Sequence, residues 1–382
     1  MIQYYQGPST AGALLRTIKK DWTGELSRGT NVPAVVNLRP IRVTTTLDDG
    51  QVSKVETDYE TFTYTYLGST GTAFRSNVTE QREYSYGSSA AGPLMRKTDY
   101  TYLHSSNTTY NNLNIVNRPT SVITYDNGGV AKAQVQYEYD NYTQAIQASG
   151  AVQHNPSFGV YYLTRGNLTA TKLWRNTDGA WLTTRNQYDD AGNVISITDP
   201  LNHTTQFDYT DSWIAISGTT GGSACAPAGQ GKAYLKRTTN ALSQVTTNSY
   251  YSCTGALGSI IDPNSQTTWT AYDLFGRKLQ VHLPDGGLAT NQYDDTNLIT
   301  TTSQLVTSSP SASVFSKKQY NHLGRTLQDQ LCEDGAAACA SSIKTDSTYD
   351  LLGHVSTVSN PYRTAGYPGP TNGVTMMQYN AI

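Results

Sequence analysis

Charge is scarce in this sequence. Of its 382 residues, 15% are Asp, Glu, Lys or Arg, the formal net charge is −2, and Lys and Arg never gather into a long run. The basic stripe that tracks a phosphate backbone is missing, which argues against a nucleic-acid partner. Long apolar runs are missing too, so no membrane span can be drawn. Met1 to Lys20 has no apolar centre of the kind a signal peptide needs. Hydrophobic residues make up 37% even with 28 tyrosines counted among them, which is lean for a chain of this length. A thick two-layer core is hard to build from so little, whereas a thin curved sheet around a wet interior is easier. The chain does not have the composition of a disordered segment either, because its aromatic and β-branched stretches alternate with ordered turn chemistry.

Catalytic signatures are as sparse. No GxSxG elbow and no HExxH occurs. Gly229-Gln230-Gly231-Lys232 falls short of a phosphate loop, with Ala226 where the first glycine should stand and Ala233 after the lysine. The six histidines (His104, His154, His203, His282, His322 and His354) are scattered over turns and strands with no repeated partner, and read as surface or strand residues. No catalytic, cofactor-binding or metal-ligating residue is nominated. Cysteine is limited to Cys225, Cys253, Cys332 and Cys339, two sequence-local pairs beside Gly/Ala/Ser-rich connections. Four cysteines allow three connectivities. Cys225–Cys253 with Cys332–Cys339 is the natural one and would suit an oxidising compartment; four free thiols in a cytosolic protein are the alternative. With no CxxC and no nearby histidine, zinc is disfavoured.

What the chain does have is a repeated phrase. An aromatic strand, Tyr-Asp, two residues and Gly recur as YDDAGNV from Tyr188, YDLFGRK from Tyr272, YNHLGRT from Tyr320 and YDLLGHV from Tyr349, with a worn copy, YSCTGAL, at Tyr251. Asp suits the first position of a type I turn and Gly the fourth, so Asp273-Leu274-Phe275-Gly276 reads as a reversal between two strands. The flanks, such as Gln266–Ala271 and Arg277–His282, have the β-branched and aromatic content of pleated strands. A second kind of turn closes each unit: Asp199-Pro200-Leu201-Asn202, Asp262-Pro263-Asn264-Ser265 and Pro284-Asp285-Gly286-Gly287. Tyr188, Tyr209, Tyr251, Tyr272 and Tyr293 fall 21 or 42 residues apart. Fixed-period self-similarity means an array in which each unit needs its neighbours. The fold class is all-β, built of antiparallel hairpin repeats.

Residues 1–150 carry a longer repeat. Gly7, Ser9, Ala11, Gly12, Leu14 and Arg16 return 80 residues on as Gly87, Ser89, Ala91, Gly92, Leu94 and Arg96. Asp48-Asp49-Gly50 is answered by Asp126-Asn127-Gly128. We read 1–150 as a divergent β-repeat region with two such copies, continuous with a Tyr-Asp repeat region over 151–382. Met1–Tyr5 matches Arg82–Tyr86, and Gln378–Ile382 stops short of a turn glycine. Both ends therefore read as cuts through a longer protein.

The recurring YDxxGR phrase, with a DP or PDG turn about ten residues later, resembles the Rhs/YD-repeat family. That family includes bacterial Rhs toxins, the shell subunits of insecticidal Tc toxin complexes and the animal teneurins. The resemblance covers residues 160–382 and extends to the 80-residue copies. It implies a long sheet spiralling into a hollow shell or barrel, which in the toxins encloses a C-terminal effector freed by self-cleavage at an Asp-Pro-x-Gly-Leu element. Here Asp199-Pro200 is followed by Leu-Asn-His and Asp262-Pro263 by Asn-Ser-Gln, so no cleavage residues carry over. The expectation is a non-catalytic wall segment of a secreted or surface-displayed protein, partnered by the rest of its own chain or an enclosed effector. Two other classes stand beside it. One is an extracellular adhesion module whose Trp174, Trp181, Trp213 and Trp269 meet glycans or another cell-surface protein; cross-strand packing is the plainer role for those rings. The other is self-assembly into filaments through open sheet edges.

Overall fold

The computed structural model describes residues 1–5, 12–26, 35–66, 69–214, 225–308, 311–363, 373–377 and 379. Among them, helix is confined to segments of three, five and three residues. Every strand ladder is antiparallel. The chain divides into two units. One comprises Met1–Gln147 and Ser157–His203, the other Ala148–Pro156 and Thr204–Ala381.

In the first unit, strands from Ile2–Tyr5 to Val194–Thr198 pair in sequence order as a meander. Its longest members, Gln51–Tyr66 and Ser69–Ser88, run 16 and 20 residues. The second unit repeats the plan from Thr204–Asp208 onward with shorter strands. No large side chain is completely buried among the described residues. In the second unit Ile214, Tyr251 and Tyr272 are the buried centre of one small cluster, joined by Ala256. Ring edges meet there, with the Tyr251 and Tyr272 centroids 5.8 Å apart. Most strand residues are half-buried, as the Thr/Ser/Tyr-rich composition demands.

The turns share one frame. Asp273 N–H bonds the carbonyl of Arg277, Gly276 N–H bonds the carbonyl of Asp273, and Asp273 Oδ1 accepts from the backbone N–H of Phe275 (2.9 Å) and Arg277 (2.8 Å). The same pair of side-chain bonds recurs at Asp350 and at Asn321. It recurs as well at Asp199, Asp262, Asn240 and Asp126. The sequence separates two kinds of turn; the structure gives both one geometry. Pro200 and Pro263 sit at the second position, where a fixed φ fits. The fourth position needs φ > 0. Gly276 supplies it at +78°, while Asn202, Ser243 and Ser265 are held at +66°, +61° and +64°.

A serine side chain in the left-handed region is strained where glycine is not. Ser265→Gly and Ser243→Gly should therefore each stabilise the chain by about 0.5–1 kcal/mol, read as a rise in the urea midpoint with unchanged slope. A loss of stability would mean that these hydroxyls contribute more than their backbone strain costs.

Candidate functional site

The repeated tyrosine ends a strand at a register shift. Ala271 pairs with Gln280 but Tyr272 with Lys278, and the same slip occurs at Tyr188, Tyr250, Tyr320 and Tyr349. It recurs at Tyr5, Tyr84, Tyr125 and Tyr139. Such a bulge re-aims a side chain. At Tyr188, Tyr250, Tyr272 and Tyr349 the slip accompanies a phenol turned back onto the preceding hairpin, and Tyr293 makes the same reach in unshifted register. Tyr188 donates to Leu168 O, Tyr250 to Leu235 O, Tyr272 to Leu257 O, Tyr293 to Lys278 O and Tyr349 to Thr326 O, all at 2.8–2.9 Å. Where Asn stands two residues earlier, its amide joins the same carbonyl: Asn186, Asn248 and Asn291 donate at 2.9, 3.0 and 3.0 Å. Burial pushes the phenols of Tyr188, Tyr250, Tyr272 and Tyr293 up, so they stay protonated donors.

The worn copy needs correcting by one residue. Tyr250, not Tyr251, carries the bulge and the backward bond. Tyr251 fills the place of the turn aspartate, is buried, and donates to Thr270 O. The missed signal was the Asn-x-Tyr spacing of Asn248 and Tyr250.

Carboxylates in these turns are fully occupied. Burial opposes the charge of Asp273, but the Arg277 and Phe275 N–H groups and the Arg277 guanidinium outweigh it and hold the carboxyl below its usual range. Asp199 is lowered by the N–H of His203 and, further, by burial-opposing bonds from Leu201 N–H and the His203 ring. Histidine does have a repeated partner: His203 Nδ1 lies 3.0 Å from Asp199 Oδ2 and His354 Nδ1 lies 2.9 Å from Asp350 Oδ2. Gly229–Lys232 is likewise committed, since the N–H groups of Gly231 and Lys232 bond the Asp211 carboxylate. Trp174 pairs with Trp181 across two strands, Trp269 stacks on His282 at 3.8 Å, and Trp213 meets Tyr234 edge-on at 5.7 Å.

The first unit holds three denser polar assemblies. Across its strands runs a charge ladder: Asp21 to Arg42 (3.6 Å), Arg42 to Glu56 (3.0 Å), Glu56 to Arg82 (3.5 Å), then Arg82 to Glu80, and Glu80 to Lys97 (3.5 Å). Burial opposes the charge of Glu56, yet bonds from Lys54, Arg42 and Tyr84 bring its pKa down to about 2 from 4.5. A depressed carboxylate contributes stability above its unfolded pKa and loses it as pH falls through the folded one. The rung should thus be intact at neutral pH and weaken from about pH 4.5 toward pH 2. Thermal melts over that window should show a steeper acid loss for the parent chain than for Glu56→Gln, which starts lower and is flatter. Identical pH profiles would deny the ladder any stabilising role.

The second assembly centres on Asp140, held at φ +52°. Its carboxylate accepts the hydroxyls of Tyr110 and of Tyr142 (2.9 Å) and the backbone N–H of Arg165, Gly166 and Asn167 at 2.8, 2.7 and 2.9 Å. Arg165 then donates to the carbonyls of Tyr162, Gly159 and Asp190.

His104 belongs to the third, and it is buried at 5% exposure, not on the surface as the sequence suggests. The bulge at Tyr59–Thr61 throws Glu60 out of the ladder. Glu60 then accepts from His104 Nε2 (2.5 Å), Arg75 (2.7 Å) and Asn77 (2.7 Å). Burial opposes its charge, but these donors pull its carboxyl below the usual range. Asn77 also donates to Val116 O and Arg75 to Asn111, so the segment after Tyr102 is tied down over the hairpin.

Cys225 is bonded to Cys253, with Cα atoms 4.7 Å apart, and Cys332 to Cys339, at 4.8 Å. Among the described residues no group of three or more His, Cys, Asp or Glu is placed to hold a metal, and no helix is long and apolar enough to cross a membrane.

Residues 188–213 match the RHS Repeat family model. This span holds the Tyr188 turn, the strand Val194–Thr198 and the Asp199 turn, so the chain carries a repeat of the Rhs/YD kind. No curated protein matches. Solved structures similar to the chain include a crystal structure of TcdB2-TccC3-TEV, at 12% identity and TM-score 0.34, covering 94% of this chain and 19% of that one. A Photorhabdus luminescens Tc holotoxin pore is similar at 10% identity and TM-score 0.28, covering 92% of this chain and 25% of the other. The chain thus spans a quarter or less of either.

Proposed function

We propose that this chain is a wall: a non-catalytic, repeat-built segment of a larger Rhs/YD-repeat protein that encloses or displays another polypeptide outside the cell. The observation that carries the reading is the joint. In copy after copy the Asx carboxylate or amide is spent on two backbone N–H groups, and the tyrosine hydroxyl on the hairpin before it. Groups so committed position backbone and are not free for turnover. The carboxyls of Glu56, Glu60, Asp199, Asp273 and Asp350 are all held below their usual range. A general acid working near neutral pH needs the opposite shift.

The surface supports the same reading. Leu274, Phe275, Leu323, Leu351 and Leu352 stand 73–107% exposed at the tips of successive Tyr-Asp turns. Further repeats of the same protein, packed along that edge, would cover them. Two disulfides fit assembly in an oxidising compartment.

Electron microscopy of the full-length protein tests this. The expected image is a curved sheet bounding a cavity, with residues 1–382 in its wall. A solid body would refute enclosure. Reproducible glycan, peptide or nucleic-acid hydrolysis by the purified chain, abolished by one carboxylate or histidine substitution, would refute the non-catalytic half.

A further inference from the structure

One Tyr-Asp turn in the second unit lacks its Asx side chain. Asp273, Asp294, Asn321 and Asp350 each put a side-chain oxygen on two backbone N–H groups of their own turn. Tyr251 stands in that position after Tyr250, and its hydroxyl leaves the turn for Thr270 O. The local bonds that remain are few. Gly255 N–H and Thr254 N–H share Tyr251 O at 2.8 and 3.3 Å, and Ala256 N–H bonds Thr254 Oγ1 at 3.2 Å. A covalent restraint takes the place of the carboxylate. Cys253, inside the turn, is bonded to Cys225, whose N–H also bonds Ser252 Oγ at 3.0 Å.

The other bridge is placed differently. Cys332–Cys339 closes a connection that keeps its carboxylate: Asp334 accepts from the N–H groups of Ala336, Ala340 and Ser341 at 3.2, 2.6 and 3.3 Å. Lys317 Nζ bonds Ala338 O in the same connection at 3.0 Å. Access differs as well. Cys332 and Cys339 are 5% and 7% exposed, whereas Cys225 and Cys253 both lie exposed. Disulfide exchange requires a thiolate to reach a sulfur atom, so its rate follows access.

We infer that Cys225–Cys253 is a thiol-operated catch, a joint that a dithiol releases while the second bridge and its hairpin hold. One thiolate of the dithiol attacks the sulfur of Cys225 or Cys253 and breaks the S–S bond. The other cysteine leaves as a thiolate and takes up a proton. The second thiolate of the dithiol then attacks the mixed disulfide and frees the remaining cysteine. Two electrons pass to the bridge, and the dithiol ends as a disulfide. The selectivity is one of rate.

Release acts through Tyr251, which is buried with Ile214 and Tyr272. Ile214 N–H bonds Tyr250 O and Tyr250 N–H bonds Ser212 O, both at 2.9 Å, so a slackened turn loosens its neighbours with it. The consequence for a wall, that it slackens at one place in a reducing compartment, rests on the function proposed above. The order of cutting does not: a solid body in the microscope would remove the first and leave the second.

Timed alkylation tests the catch. The oxidised chain is incubated with excess dithiothreitol under native conditions, quenched with iodoacetamide at intervals and digested for mass spectrometry. Cys225 and Cys253 should be alkylated about tenfold faster than Cys332 and Cys339, because access sets the rate. Asp334→Ala should speed cutting of the second bridge about fivefold, the effect of losing one net hydrogen bond that holds the connection shut. Hydrogen exchange at the half-reduced stage should rise at Val245–Ile261 and stay unchanged at Thr326–Cys332 and Ser342–Tyr349. Equal rates for the two bridges, earlier cutting of Cys332–Cys339, or unchanged exchange at Val245–Ile261 would overturn the inference. So would an Asp334→Ala variant whose second bridge is cut no faster.

Discussion

Reducing the Cys225–Cys253 bridge is expected to cost the second unit about 3.5 kcal/mol, since it closes a 28-residue loop and the chain-entropy cost scales with loop length. Cys332–Cys339, closing a loop of 7, should cost about 2.5 kcal/mol on the same basis. The difference in place matters as much as the difference in size. Cys253 lies in the turn that begins at Tyr251, whose side chain is one of three in the small buried cluster. Cys332 and Cys339 join the ends of a single hairpin connection, where the Cys332–Ser342 pair already holds the ladder. Hydrogen exchange in a Cys225→Ser/Cys253→Ser variant should therefore rise through Val245–Ile261 and Thr267–Tyr272. In a Cys332→Ser/Cys339→Ser variant it should rise only locally, near Glu333–Ser341. Equal and chain-wide loss of protection in both cases would show that the unit opens all at once and that loop length is irrelevant.

A loss of about 3–4 kcal/mol is expected for Asp140→Ala, the largest effect of any single side chain in the first unit. Alanine would leave two tyrosine hydroxyls and three backbone N–H groups without their acceptor, and unmatched polar groups away from water are costly. Asp140→Asn separates shape from charge. It keeps one oxygen and should recover about half the loss. Burial and Asp140 together push the Tyr142 phenol well above its ordinary value, and that phenol should titrate closer to 10 in the alanine variant. Urea melts and a spectroscopic tyrosine titration would measure both. A variant as stable as the parent would mean that water replaces the carboxylate at no cost.

The antiparallel, helix-poor architecture was legible because turns constrain residue type directly. A backbone at φ > 0 asks for Gly, and a carboxylate that must reach two N–H groups asks for Asp or Asn, so Asp273 and Gly276 announce themselves. Asn202 and Ser265 obey the same geometry with less specific letters, and the two turn classes looked distinct for that reason. The tyrosine joint was not legible. Which carbonyl Tyr272 reaches depends on how its strand is registered against the neighbouring hairpin, and register leaves no trace in composition. Tyr250 and Tyr251 could be told apart only by Asn248. The burial of His104 was hidden for a related cause: it follows from a bulge at Glu60, 44 residues earlier, and from the loop folded over it. Polar assemblies that draw on distant segments, as around Asp140, have no local pattern to find.

The backward reach of Tyr188, Tyr250, Tyr272, Tyr293 and Tyr349 gives the array a direction of assembly. Each phenol finds its carbonyl on chain that precedes it, so a nascent polypeptide leaving the ribosome or a secretion channel amino end first can lock each hairpin as soon as it emerges. The same chain delivered carboxyl end first would hold every hairpin open until the one before it arrived.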